Sequence, residues 1–198
     1  MIKHILFDVD GTLLNSSAAF CGSLEDALAR NNIPHGDISI YFTLPLKRFI
    51  SDYAITDPNF LPDWNADYVS RIAAAPLFDG VKEMLDRFVS RDLQMGVVTS
   101  RLHDIALVGL AENGLGDAFG DIIAADDVTR PKPDAEPINL YLSRHSAQPD
   151  EVIYLGDALT DRQCAIAAGV RFFAPAWAPL PSELAPDAIS QRALENLI

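Results

Sequence analysis

The sequence is poor in the features that mark secreted, membrane-spanning or nucleic-acid-binding proteins. Two cysteines, Cys21 and Cys164, occur in 198 residues. Neither lies in a C-x-x-C, so a zinc site is disfavoured and both read as free thiols in a reducing compartment. Basic residues are outnumbered 15 to 28 by acidic ones, and the net charge of −13 argues against gripping a nucleic-acid polymer or an anionic membrane. A local phosphate site is not excluded, because its field depends on nearby groups. No apolar run approaches the ~20 residues needed to span a bilayer. The first apolar stretch, Ile5 to Phe7, is cut off by Asp8, so no secretory leader is expected and the location expected is cytoplasmic. The four histidines, His4, His35, His103 and His145, share no spacing and default to structural or surface roles. Internal repeats and low-complexity tracts are missing.

What is present is a 49% apolar, mixed-charge chain, long enough for one substantial core and a small inserted second domain. Nothing in it requires more than a monomer, and a homodimer is equally compatible. Four apolar runs read as buried strands: HILF (4–7), LQMGVVT (93–99), DIIAA (121–125) and EVIYLG (151–156), with VRFFA (170–174) as a fifth. They do not alternate in polarity, which suits strands covered on both faces. Helical stretches separate them. In 81–91 the apolar residues Val81, Met84, Leu85, Phe88 and Val89 share one face, and Asp79-Gly80 reads as the turn into that helix. Residues 104–114, 134–144 and 161–168 continue the rhythm. The fold class expected is therefore α/β, a doubly wound parallel sheet.

Residues 16–76 break this alternation. They hold three helix-like segments, near 17–31, 44–54 and 63–74, and no core strand. The expected organisation is a catalytic core of residues 1–15 and 77–198 with a helical insertion of residues 16–76. Phe20, Phe42, Phe49 and Trp64 are expected to pack that insertion or its seam with the core. The tail from Pro175 to Pro186 carries four prolines and reads as extended or looped, with a short helix near 190–197.

The polar residues of interest all come after apolar strands. Asp8 and Asp10 come after the first, Thr99 and Ser100 after the second, and Asp157 and Asp161 after the fourth; Lys132 lies in the RPKPD loop after the third. In an open parallel sheet the carboxyl ends of the strands share one edge, where ligands bind. Four groups distant in sequence should meet there. Carboxylates gathered in a small volume repel one another unless a cation lies among them. The candidate donors are all oxygens, which favours a hard ion, Mg²⁺ above all. Of Asp8 and Asp10, one can face the substrate as nucleophile while the other serves as acid and base. Thr99 can donate a hydroxyl hydrogen bond to a phosphoryl oxygen, and Lys132 offers it a point charge, with Pro131 and Pro133 stiffening the loop. Each residue has a plainer alternative: a surface turn for Asp8 and Asp10, a helix cap for Asp157, a first-turn helix acid for Asp161, a solvated lysine for Lys132.

DVDGT (8–12), Thr99 of VVTS, Lys132 of KPDAEP (132–137) and GDALTD (156–161), with AIAAGV (165–170) adjoining, resemble in order and spacing the four motifs of the haloacid dehalogenase-like phosphohydrolases. The helical insertion is similar to the cap of the phosphoglycolate phosphatase-like and β-phosphoglucomutase-like branch. The resemblance implies that Asp8 attacks phosphorus and becomes an aspartyl-phosphate. Asp10 then protonates the leaving oxygen and activates the hydrolytic water. It further implies Mg²⁺ held by Asp8, the backbone carbonyl of Asp10 and Asp157, with Asp161 supporting the metal's waters or Lys132, and a small phosphorylated metabolite as substrate. Related caps often carry a glycine and then a basic residue before the second cap helix. Here Thr43 stands at the glycine's place and Lys47 and Arg48 come after it, so these two are candidates for substrate contact, against a plain solvated face. A phosphatase is the reading preferred. A phosphotransferase, a pyrophosphatase or nucleotidase, and a non-catalytic binding module are the alternatives. Thr12 after DxDG is similar to hydrolytic members, where mutases tend to carry valine.

Overall fold

The computed structural model describes residues 1–42, 46–72 and 74–198. In chain order its elements are β1 (His4–Phe7), α1 (Ser17–Arg30), α2 (Leu46–Asp52), α3 (Phe60–Ile72), α4 (Val81–Val89), β2 (Gln94–Val98) and α5 (His103–Glu112). They continue with β3 (Asp121–Ile123), α6 (Glu136–His145), β4 (Val152–Leu155), α7 (Leu159–Ala168), β5 (Arg171–Pro175), β6 (Ala188–Ile189) and α8 (Gln191–Leu197). Two units separate: Met1–Asn15 with Pro76–Ile198, and Ser16–Ala75.

The larger unit is a six-stranded parallel sheet in the order β3-β2-β1-β4-β5-β6. The five apolar runs form its first five strands. All four residues of β1 and of β4 are buried, as expected for strands with helices over both faces. The chain runs outward from β1 through β2 to β3, then returns to lay β4 on the other side of β1. The β1–β4 seam is therefore the topological switch point, where the crevice at the strand ends opens. Register places Phe7 beside both Val97 and Leu155, so the residues just past these strands emerge together.

In α4, Val81, Met84, Leu85 and Phe88 are buried, whereas Val89 is 56% exposed. At about 100° per residue Val89 lies about 80° from Val81, at the margin of the apolar stripe and on the helix's last turn. The tail after β5 is more ordered than its prolines suggest. Ser182–Asp187 is a 3₁₀ helix, and β6 adds two residues to the sheet edge, Ala188 opposite Ala174 and Ile189 opposite Pro175. A two-residue strand carries no periodicity to read.

At the opposite edge from the strand ends, His4 is buried and its Nδ1 lies 3.2 Å from the Tyr141 hydroxyl. Tyr141 stacks on His145, whose Nε2 is 3.3 Å from Asp121. Burial, and then the neighbouring His145, lower the pKa of His4 below the usual 6.5. The unfolded chain thus binds a proton on His4 that the fold resists, and His4's own contribution to stability is lost as the pH falls through about 6.5. Between pH values of about 7.5 and about 5, the urea midpoint of the wild type should fall further than that of His4→Phe. Parallel declines would exclude His4 as a source of the loss.

The smaller unit is helical. α1 and α3 pack around Leu24, Leu28, Ile38, Tyr41, Phe49, Phe60 and Trp64. Phe20 meets Phe42, Trp64 and Tyr68 edge-on, and the Trp64 indole donates to Ser23 Oγ at 3.0 Å. Of the aromatic residues picked out from the sequence, Phe49 and Trp64 lie in this unit's interior, where full burial of such a side chain is worth about 1.5–3 kcal/mol, and Phe20 and Phe42 are half-buried. On α2, Lys47 and Arg48 are exposed, and Arg48 pairs with Asp52 at 2.7 Å, one helical turn on. Thr43 lies outside the described residues.

Candidate active site

The β1 strand ends in a tight reversal. The amides of Leu13 and Leu14 both return to the Val9 carbonyl, at 3.0 and 2.9 Å. Gly11 has φ +72°, and a Cβ there would stand 2.1 Å from Asp157 Oδ2. Only glycine allows both the left-handed turn and the approach of the β4 loop. Thr12 Oγ1 then donates to Asp157 Oδ1 at 3.1 Å. The Trp177 indole, from the proline-rich tail, donates to the Thr12 carbonyl at 2.9 Å. The first and last strand-end motifs are thereby locked face to face.

Lys132 is the hub of the buried cluster. Its side chain is 2% exposed, and Nζ lies 3.0 Å from Asp8 Oδ1, 2.6 Å from Asp161 Oδ1, 3.2 Å from the Tyr154 hydroxyl and 3.3 Å from the Val98 carbonyl. The Tyr154 hydroxyl is itself 2.9 Å from both the Val98 carbonyl and Asp161 Oδ1. Burial, Asp161 and Asp8 all raise its pKa, so it remains a phenol. For Lys132, burial opposes the charge, but Asp161 and Asp8 outweigh it and the ammonium is held more firmly than usual. Asp161 Oδ2 accepts the Ala158 amide at 3.0 Å at the start of α7. It therefore braces the lysine and caps a helix at once, and the helix-acid alternative is compatible with a place in the cluster.

Among the described residues, Asp8, Asp157 and Asp161 each bring one carboxylate oxygen to within 4.8 Å of the others, and all three are buried. Three carboxylates against one ammonium leave two negative charges, the complement of a divalent cation. The crowding shifts both Asp8 and Asp157 toward the protonated form. Burial first, then Asp161 and Asp10, push Asp8 up to about 7 despite Lys132. Burial, Asp8 and Asp161 push Asp157 well above the ordinary carboxylate range. Such crowding is relieved by protons or by a metal. The donors are oxygens only, a set that fits magnesium or another hard ion.

The second strand end contributes Thr99, which is buried, and Ser100, which is exposed. The Thr99 hydroxyl oxygen accepts the Arg101 amide at 3.2 Å, so its own proton is directed elsewhere. Asp10 stands apart from the lysine cluster and is gripped by Arg101. Nε meets Oδ2 at 2.5 Å and Nη2 meets Oδ1 at 2.6 Å. Asp8, Asp157, Asp161 and Lys132 are thus in one cluster, and Asp10 and Thr99 are linked through Arg101. Lys47 and Arg48 belong to the helical unit.

The profile of the haloacid dehalogenase-like hydrolases matches residues 5–175. The chain belongs to that family. Within it, the chain is 30% identical over 181 residues to the pyrophosphatase PpaX of Bacillus velezensis, covering 89% of this chain and 84% of that protein. It is 29% identical over 184 residues to a phosphoglycolate phosphatase of Pectobacterium atrosepticum, covering 86% and 78%. Among solved structures, a HAD-superfamily hydrolase of subfamily IA from Geobacter sulfurreducens superposes with a TM-score of 0.76 at 25% identity, covering 99% of this chain and 96% of that one.

Three residues of this haloacid dehalogenase-like hydrolase that bear on the site were not singled out from the sequence: Arg101, Tyr154 and Trp177. Tyr154 looks like any core aromatic in EVIYLG, and nothing local marks its hydroxyl as a partner of Asp161. Trp177 lies 165 positions from the carbonyl it binds. Arg101 did leave a signal, since an arginine immediately after a strand end that gathers carboxylates is a predictable partner for one of them.

Proposed function

We propose that this phosphohydrolase cleaves a small-molecule phosphate monoester in a magnesium-dependent reaction, with Asp8 as nucleophile. The observation that carries the reading is the Asp8 carboxylate at the switch point, 3.0 Å from a buried lysine and clustered with Asp157 and Asp161. An Asp8 oxygen attacks phosphorus, the ester oxygen leaves, and Asp10 gives it a proton. Asp10 then takes a proton from water, which attacks the aspartyl-phosphate, releases inorganic phosphate and restores Asp8. Lys132 and the Thr99 hydroxyl hold the transferring oxygens, whose charge is what such a site must stabilise. Magnesium, held by Asp8, Asp157 and the Asp10 carbonyl, would supply positive charge to those oxygens when bound. Asp161 keeps Lys132 in place. In the same reading the helical unit is a cap that selects the substrate, with Lys47 or Arg48 as contacts.

Pyrophosphate is the second substrate to consider, because a relative of 30% identity is a pyrophosphatase. The bond broken is again P–O, with phosphate as leaving group. A panel of phosphorylated metabolites, nucleotides, an aryl phosphate and pyrophosphate, assayed with Mg²⁺ and with a chelator, tests the proposal. Turnover should require the metal, and Mg²⁺ should raise the melting temperature by relieving the buried acids. Activity that persists in chelator, or a melting temperature indifferent to Mg²⁺, would overturn the metal assignment.

A further inference from the structure

The ion pair between Arg101 and Asp10 is more than a surface contact. The Arg101 side chain is 5% exposed. Its backbone is held on both sides, the amide by Thr99 Oγ1 at 3.2 Å and the carbonyl by the Ala125 amide at 2.9 Å. Space for the guanidinium depends on a glycine of the neighbouring helix. A Cβ on Gly109 of α5 would stand 2.5 Å from Arg101 Nη1. The fork grips both oxygens of Asp10, which fixes the plane of the carboxylate as well as its place. The same short loop thus holds the Thr99 hydroxyl and the Asp10 carboxylate.

We infer that Arg101 is a positioning residue for Asp10, setting the side chain where, once it carries a proton in the substrate complex, it hands that proton to the leaving oxygen and returns to the carboxylate that the fork holds. The inference rests on the reaction proposed above. Arg101 is placed to influence the reaction through the Asp10 carboxylate that its fork holds. Its contribution should therefore scale with how much the leaving group needs a proton. A nitrophenolate departs without one, whereas a simple alkoxide does not.

The test compares wild type, Arg101→Met, Arg101→Lys, Asp10→Asn and the Arg101→Met, Asp10→Asn double variant on a nitrophenyl, a phenyl and an alkyl phosphate. General acid catalysis contributes about 10²–10⁴-fold. Arg101→Met should then lower kcat/KM by roughly tenfold or more on the alkyl ester and by only about twofold on the nitrophenyl ester. Arg101→Lys should recover part of the loss, because it keeps the charge and loses the fork. The double variant should be no slower than Asp10→Asn alone. A crystal structure of Arg101→Met should show the Asp10 carboxylate turned from its place while Asp8, Lys132 and Asp161 keep theirs. Asp10 is 25% exposed, so water can hydrate it once the fork is gone, and the variant should fold. Equal losses on all three esters, a faster variant, or an undisturbed Asp10 would overturn the role of Arg101 and leave the proposed reaction standing. A wild type inert on every ester would overturn the reaction and this role with it.

Discussion

Asp8→Asn should lower kcat/KM by about 10³-fold or more while leaving a folded protein. The amide fills the same volume, but it is a poor nucleophile and cannot form the aspartyl-phosphate. Folding should survive for an electrostatic reason. Burial and neighbouring acids lift Asp8 to about 7 from an ordinary carboxylate value of 3.8, so above that pH the native state holds a carboxylate it disfavours. Between the unfolded and folded values the native state binds the extra proton, and stability falls as the pH rises through that window. Removing the charge should make metal-free Asp8→Asn at least as stable as wild type near pH 8, with Lys132 still paired to Asp161. Thermal unfolding and single-turnover rates measure the two halves separately. Full activity in Asp8→Asn would end the nucleophile assignment, and a collapsed fold would show that the carboxylate is structural.

The largest stability effect is expected from Lys132→Met. Its ammonium faces the clustered carboxylates, and its removal leaves Asp8 and Asp161 buried without that partner. Breaking a buried pair on one side costs about 3–5 kcal/mol, because the remaining charge keeps its desolvation penalty. Proton uptake by the orphaned acids softens that cost at low pH, so the loss should grow as the pH rises. A companion Asp161→Asn substitution should restore part of the stability, since the second change removes the charge that the first left bare. Urea unfolding of the metal-free protein at two pH values checks both statements. A destabilisation under about 1 kcal/mol, the scale of an exposed pair, would mean that water replaces the lysine. Added Mg²⁺ should narrow the gap between variant and wild type by supplying the missing positive charge.

The order of the strands in the chain, their burial on both faces and the class of the sheet were legible because each rests on local pattern. HILF and EVIYLG are apolar almost throughout, and only a strand covered on both sides tolerates that over four to six residues. Placing Asp8, Asp157 and Lys132 near one another also needed little more, since parallel strands deliver the loops at their carboxyl ends to one edge. Val89 shows the limit of periodicity, because a helical stripe does not say where the neighbouring element stops. β6 marks a second limit, since two residues carry no pattern.

The sequence by itself determined the architecture and the set of acids at its strand ends, for both arise from hydrophobic periodicity and the common direction of parallel strands. Only the tertiary structure decided the partners. Arg101 on Asp10, Tyr154 on Asp161, Trp177 on the Thr12 carbonyl and His4 beside Tyr141 are contacts of side chains a few ångströms apart. A hydrogen bond or a fork-like ion pair depends on distances of tenths of an ångström, and those are set by packing around each group, which periodicity along the chain does not encode.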